Sequence, residues 1–382
     1  MSTRLPVMAV FGTRPEAVKM APVIARLRAS EDFTPIVAVT AQHREMLDQV
    51  LRLFAITPDI DLDVMLPEQS LFDIISRTLT RLDPVLRERR PAMVLVQGDA
   101  SSTFLGALAA FYHQIPVGHV EAGLRTQDKF RPFPEEMNRR LTSALADLHF
   151  APTARARANL LAEGVAAERI LVTGNTEIDA LLEVAARPDV RLPAALPSLD
   201  GQRLLLVTTH RRESWGEPLR QVYLGLLDLL ERFPDAVVVF PVHLNPAVRR
   251  VADQVLAGHP RAHLIPPLDY GPFVRLMSKA YIILTDSGGI QEGAPSLGTP
   301  VLVLREVTER PEGVDAGAAE LVGVSRDRIA ERAGRLLADP AAHARMARAR
   351  NPYGDGRAAA RIVDALRHWF GRAPARPEEF AA

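Results

Sequence analysis

Three acidic residues stand where short apolar runs give way to polar sequence: Asp99 after AMVLVQ, Glu121 after IPVGHV, and Glu135 behind Pro134 in FRPFPEEMNRR. Carboxylates gathered at one site repel one another, which raises the pKa of at least one and turns it into a proton donor or acceptor near neutrality. The chemistry implied is general acid–base transfer. Two of them also have a plainer reading. Asp99 would cap the helix-like segment that begins at Ala100, and Glu135 would complement a positive helix end.

A second set of residues suits an anion. In FGTRPEAVKM, Pro15 fits a first helical position and Glu16 the positive helix end, leaving Arg14 and Lys19 beside a helix N-terminus at a strand tip, where phosphate binds. The alternative there is a helix start with solvated charges. No Gly-Lys-Ser/Thr ending follows, so it is not a Walker loop. Further along, TTHRRES sets His210, Arg211, Arg212 and Glu213 after RLLLV, and FPVHLNP sets His243 after AVVVF. A histidine at a strand end also serves as a satisfied structural residue. TDSGGIQEG places Ser287, Gly288 and Gly289 between a buried strand and a helix, where bare amides and a helix dipole would cradle a phosphate, although the same letters describe a tight turn. Glu309 and Arg310 follow the strand-like VLVL in REVTERPEG.

What must hold these residues is a series of short buried strands. LPVMAV, PIVAVT, AMVLVQ, IPVGHV and RILVTG in the first half, then RLLLVTTH, AVVVFPVH, HLIPP, YIILTDSGG and PVLVL in the second, alternate with helical patterns. That alternation means βαβ units and parallel sheets covered on both faces. With 382 residues, two lobes are expected. Residues 1–173 form the first and 174–355 the second, a helix at 356–372 returns to the first, and 373–382 make a loose tail. The Pro-rich ARPDVRLPAALPSLDGQ reads as the connection. The fold class is α/β, glycosyltransferase-B-like, with two Rossmann-type lobes facing across a cleft. Ligands of such sheets bind beyond the carboxyl ends of the strands.

Composition narrows the function. The 46 basic and 46 acidic residues cancel, which argues against a nucleic-acid or membrane surface. Without cysteine there is no disulfide framework, thiolate nucleophile or thiolate metal site. The first apolar run reads as a strand and not a signal peptide, and no apolar stretch approaches 18 residues. A cytoplasmic protein is expected.

Taken in order, FGTRPEAVKMAP, TAQHREMLDQVL, VQGDASST, HVEAGLRT, PFPEEMNRR, TGNTEIDAL, TTHRRES, FPVHLNP and TDSGGIQE through TERPEG resemble the non-hydrolysing UDP-N-acetylglucosamine 2-epimerases over roughly the first 325 residues. The resemblance implies interconversion of UDP-N-acetylglucosamine and UDP-N-acetylmannosamine through an enclosed glycal, without metal or cofactor, usually by a homodimer. It implies proton-transfer roles for Asp99, Glu121 and Glu135, and a place near the UDP phosphates for His210. Arg14, Lys19, Ser287, Gly288, Gly289 and Arg310 match UDP contacts, and Phe273 matches a residue near uracil. Gln42, His43 and His243 match a second, regulatory UDP-sugar site. Two positions depart from the family: Gly293 follows Glu292 where a second glutamate commonly holds the ribose, and Leu268 replaces a polar residue near uracil. The alternatives are a UDP-sugar-dependent glycosyltransferase of the same fold, a hydrolysing epimerase, and a non-catalytic nucleotide-sugar sensor.

Overall fold

In the computed structural model the described residues are 4–40, 44–65, 69–192, 196, 199 and 201–381. They divide into two compact units, the first comprising Met1–Ala180 with Gly354–Ala382 and the second Leu181–Tyr353.

The first unit is built on a parallel sheet of β1 (Leu5–Phe11), β2 (Phe33–Val39), β3 (Ile60–Asp61), β4 (Met93–Gln97), β5 (Val117–Val120), β6 (Leu148–Ala151) and β7 (Ile170–Val172). Their order is β3-β2-β1-β4-β5-β6-β7. The sheet therefore reverses direction of growth between β1 and β4, whose register runs from Val7 opposite Met93 to Val10 opposite Val96. Helices cover the strands, and Val7 to Phe11 and Met93 to Val96 are fully buried. This burial on both faces is why these runs carry no polar alternation. Met8, Val10, Val94 and Val96 meet Leu82 and Leu86 of the helix Leu71–Arg89 in one core.

The second unit repeats the plan with β8 (Arg203–Thr208), β9 (Ala236–Pro241), β10 (Ala262–Ile265), β11 (Ile282–Thr285), β12 (Val301–Val303) and β13 (Ala319–Leu321). The order is β10-β9-β8-β11-β12-β13, all parallel, with the reversal between β8 and β11. Its core joins Leu205, Val207, Val238 and Phe240 to Tyr223, Leu226 and Leu230 of the helix Glu217–Arg232. Two doubly wound units of this kind realise the glycosyltransferase-B-like class. Truncating any such core leucine to alanine would cost about 2–5 kcal/mol.

The chain leaves the first unit inside the helix Thr176–Ala186, between Ala180 and Leu181, and re-enters it at Gly354. Arg187 and Val190, at the start of the Pro-rich stretch expected to connect the lobes, thus lie in the second unit, where Arg275 donates to their carbonyls. Asp179 accepts from the Ala358 and Ala359 amides and so anchors the helix Ala358–Trp369 in the first unit. That helix lies on the helix Arg14–Ala29, with Arg367 paired to Asp32 at 2.8 Å.

The end of the chain is not loose. Phe380 is buried and its amide donates to the Val172 carbonyl, Arg376 donates to the Ile170 carbonyl, and Glu379 pairs with Arg157 at 2.8 Å. The physical reason is that β7 is an edge strand, whose unpaired backbone groups accept a covering segment. Among the described residues no helix is long and apolar enough to cross a membrane.

Candidate active site

The reversal between β1 and β4 opens a crevice at the carboxyl ends of the strands, the place where open α/β sheets bind ligands. Gly98 turns the chain there with φ +73°, a conformation that suits glycine. Asp99 follows. Arg139 reaches its carboxylate at 2.5 Å, and Asn138 donates to its carbonyl at 3.0 Å. Burial raises the Asp99 pKa, opposed by Arg139 and Lys19 and reinforced by the charges of Glu121 and Glu135. The three carboxylates singled out in the sequence therefore share one field.

Glu121 directly follows β5 with φ +63°, a left-handed conformation that costs a non-glycine residue about 1–3 kcal/mol. Its side chain is held from three directions. Lys19 Nζ lies 2.6 Å from Oε1, Asn175 donates to the same oxygen at 3.1 Å, and Gln97 donates to Oε2. Lys19 also approaches Glu177 at 3.6 Å, so this cation serves the carboxylates, and of the expected pair only Arg14 stands exposed at the helix start. Glu135 opens the helix Glu135–Leu145, and its Oε2 is buried without a hydrogen-bond partner among the described residues. Arg139, four residues on along that helix, is on the same side.

Two neighbouring glutamates have other work. Glu16, read from the sequence as a helix-end charge, is buried and accepts from the Gly12 and Thr13 amides and from the Ser102 and Thr103 hydroxyls. Burial raises its pKa despite those donors. Glu136 is fully buried and accepts from the Thr126 amide and from Arg140. Arg125 pairs with Glu163 at 2.7 Å and is a structural residue here.

The matching crevice of the second unit lies between β8 and β11. Asp286 sits at its floor, 1% exposed, and accepts from the amides of His210 at 2.7 Å and Arg211 at 2.9 Å while His210 Nδ1 lies 2.8 Å from its other oxygen. Burial alone would raise the Asp286 pKa, but His210 and the two amides outweigh it and the net shift is downward. His210 is thereby oriented, its ring stacked 6.0 Å from the exposed ring of His243. Asp286 is the aspartate of the TDSGG segment, not among the expected site residues; its position at the end of β11, beside the strand that leads into His210, is the sequence signal for it.

Around this floor lie arginines. Arg310 donates to Glu292 at 2.8 Å and to Glu309 at 3.0 Å, and Arg211 approaches Glu309 at 3.8 Å. A side chain on Gly288 would put its Cβ 2.7 Å from Arg310 Cζ, so glycine admits the guanidinium to the start of this segment. The Ser287 amide is spent on Thr285 Oγ1 at 3.0 Å, which leaves Gly288 and Gly289 as the donors of the Ser-Gly-Gly turn. Glu292 is turned to Arg310, while Gly293 is buried with its Cβ position 3.1 Å from Leu181. Phe273, in the helix Tyr270–Met277, and Leu268 are half-buried. Gln42 and His43 lie outside the described residues.

Residues 25–367 match the family described as UDP-N-acetylglucosamine 2-epimerase. The chain is 51% identical over 377 residues to UDP-N-acetylglucosamine 2-epimerase of Bacillus subtilis, covering 99% of each chain. It is 53% identical over 369 residues to the Escherichia coli K12 enzyme of that name, covering 95% of this chain and 98% of the other. A crystal structure of the Neisseria meningitidis UDP-GlcNAc 2-epimerase bound to UDP-GlcNAc superimposes with a TM-score of 0.82 at 48% identity, over 95% of this chain and 99% of that one. With a family match across most of its length and relatives this similar from end to end, the chain belongs to the UDP-N-acetylglucosamine 2-epimerases, a family of isomerases.

Proposed function

We propose that the protein reversibly interconverts UDP-N-acetylglucosamine and UDP-N-acetylmannosamine by inversion at C2. The observation that carries this reading is the shared field of Asp99, Glu121 and Glu135, in which the Asp99 carboxyl is pushed up although Arg139 grips it, and Glu121 is held by Lys19. The C2 proton of the sugar has no adjacent carbonyl to acidify it, so simple removal faces a very high barrier. Elimination avoids that barrier. A carboxylate takes the C2 proton, the C–H electron pair becomes the C1–C2 double bond, and the C1–O bond breaks with its pair leaving on UDP. In the return step a protonated group delivers a proton to the opposite face of C2 while a diphosphate oxygen re-forms the bond to C1. The carboxylates of the first unit are assigned to these proton transfers.

Charge that develops on the departing diphosphate is assigned to His210, Arg310 and the Gly288 and Gly289 amides of the second unit, and to Arg14. Preorganised donors of this kind commonly supply the largest share of rate enhancement. Asp286 supports the assignment by holding the His210 ring through Nδ1 and leaving Nε2 for the ligand.

The test is incubation of the purified protein with UDP-N-acetylglucosamine in D2O, followed by NMR of the sugar. UDP-N-acetylmannosamine carrying deuterium at C2 is the expected product. Retention of the original hydrogen would defeat elimination, free N-acetylmannosamine would indicate hydrolysis, and product seen only with an added acceptor would indicate glycosyl transfer.

A further inference from the structure

Asp99 owes its place to a two-residue turn with little regular structure of its own. Gly98 leaves β4 in the left-handed region, and its amide donates to the Val120 carbonyl at 2.9 Å. Two side chains take the next two carbonyls in succession. His119 Nε2 lies 2.7 Å from the Gly98 carbonyl oxygen, and Asn138 Nδ2 donates to the Asp99 carbonyl at 3.0 Å.

His119 is an expensive way to make that contact. It is fully buried in the centre of β5, opposite Val96 of β4 and His149 of β6. Burial drives its pKa down to about 3, so the ring is neutral at any working pH. A carbonyl oxygen only accepts, so the single ring proton of the neutral imidazole is on Nε2. Nδ1 is then a buried acceptor, and among the described residues no hydrogen bond meets it. Leaving such a group unsatisfied costs about 1–3 kcal/mol. A leucine or valine would pack in a parallel strand without that cost, as Val96 and Val120 do. What the apolar residue would not supply is the hydrogen bond to Gly98.

Asn138 comes from another direction. It lies in the helix Glu135–Leu145, beside the Arg139 that grips the Asp99 carboxylate. The peptide before Asp99 is thus fixed from β5, the peptide after it from this helix, and the carboxylate from the same helix turn.

We propose that His119 and Asn138 are positioning residues that grip the successive carbonyls of Gly98 and Asp99 and so aim the Asp99 carboxylate at the substrate. The inference rests on the proton-transfer role assigned to Asp99 above. Proton transfer from a misdirected carboxyl is slow, and a displacement of about 1 Å costs roughly 100-fold in rate. Neither residue touches the ligand in this scheme, so the loss belongs in kcat and not in KM.

The experiment compares His119→Leu, which keeps bulk and removes the donor, with His119→Gln, whose amide restores an N–H near the Nε2 position, and with Asn138→Leu. Steady-state epimerisation, binding of UDP and thermal melting are measured on the full chain. His119→Leu is expected to lower kcat roughly 100-fold with KM and UDP affinity little changed, and His119→Gln to recover to within roughly 10-fold of the parent. Asn138→Leu is expected to fall in the same direction. Wild-type kcat in His119→Leu, equal losses in the leucine and glutamine variants, or a loss confined to KM would each overturn the proposal. Should His119→Leu fail to fold, Asn138→Leu decides, and wild-type kcat there overturns it. A parent protein that does not epimerise sinks the proposed function and this inference with it. A parent that turns over while all three variants match it sinks this inference alone.

Discussion

The two units share a strand order and use it for opposite electrostatics. At the β1/β4 crevice Asp99 is surrounded by other carboxylates, and burial together with their charge makes ionisation harder. At the β8/β11 crevice Asp286 is more deeply buried, yet two amides and an imidazole converge on it and ionisation becomes easier. Burial has the same sign in both places; the number of donors decides the outcome. The lesson is that a strand tip supplies position only. A carboxylate with a raised pKa can exchange protons, whereas one with a lowered pKa is a permanent charge suited to holding a cationic or polarised partner.

The comparison is broken most directly by removing the charge from two members of the first set. Asp99→Asn and Glu121→Gln are each expected to lower the epimerisation rate on the order of 1,000-fold, the usual scale for losing a general acid or base. UDP affinity should stay within a few-fold of the parent in both, measured by calorimetry. Glu121→Gln keeps an oxygen to accept from Lys19 and Asn175, while its amide NH2 replaces the oxygen that accepts from Gln97. Equal damage to UDP binding would show that the two crevices do not divide the labour as assigned.

Much of this division is legible in the sequence. Each of the ten apolar runs read as a strand corresponds to one, because residues such as AVVVF and YIIL are apolar on both faces and bounded by polar sequence. The missed strands are β3, β6 and β13, of two to four residues, with His149 interrupting one and Glu320 another. Their pairing comes from neighbours and not from propensity. Asp99 and Glu121 announced themselves by following buried strands. Their partners Gln97, Arg139 and Asn175 did not, since each lies in another element and only the fold brings them within 3.1 Å. Glu16 shows the limit from the other side: its helix-start position was correct, but the burial that makes it an internal anchor depends on Ser102 and Thr103, more than 80 residues away.

A smaller effect is expected from the second crevice. Asp286→Asn leaves an oxygen that can still accept but removes the charge facing His210. The cost should be roughly 10- to 100-fold in kcat, the worth of one charged hydrogen bond. Its signature sharpens the contrast with Asp99→Asn. With the C2 carboxylates intact and the diphosphate less well stabilised, bond breaking at C1 should become the slower event, so the loss should be accompanied by weaker UDP binding. A variant that lost rate as steeply as Asp99→Asn while holding UDP normally would move Asp286 and His210 into the proton-transfer set.

The smallest effects are in stability, where the first unit contains two groups that titrate in opposite senses. Burial pushes His149 down to about 4 from its usual 6.5, so the folded chain refuses a proton that the unfolded chain accepts. Its contribution is complete above pH 6.5 and is lost as pH falls toward 4. Asp179 is raised by burial to about 6 from 3.8, against the amides of Ala358 and Ala359. Its folded form retains a proton, and the stability this gives is complete below pH 3.8 and lost as pH rises through about 6. His149→Gln should therefore flatten the decline of melting temperature on the acid side, and Asp179→Asn should flatten the decline on rising from pH 4 to 6. Each change should be on the order of a few degrees. Asp286, with its pKa already below 3.8, should leave the slope between pH 5 and 7 unchanged when replaced by asparagine. Melts recorded every half pH unit check all three, and a wild-type slope in both His149→Gln and Asp179→Asn would refute burial as the cause of the two shifts.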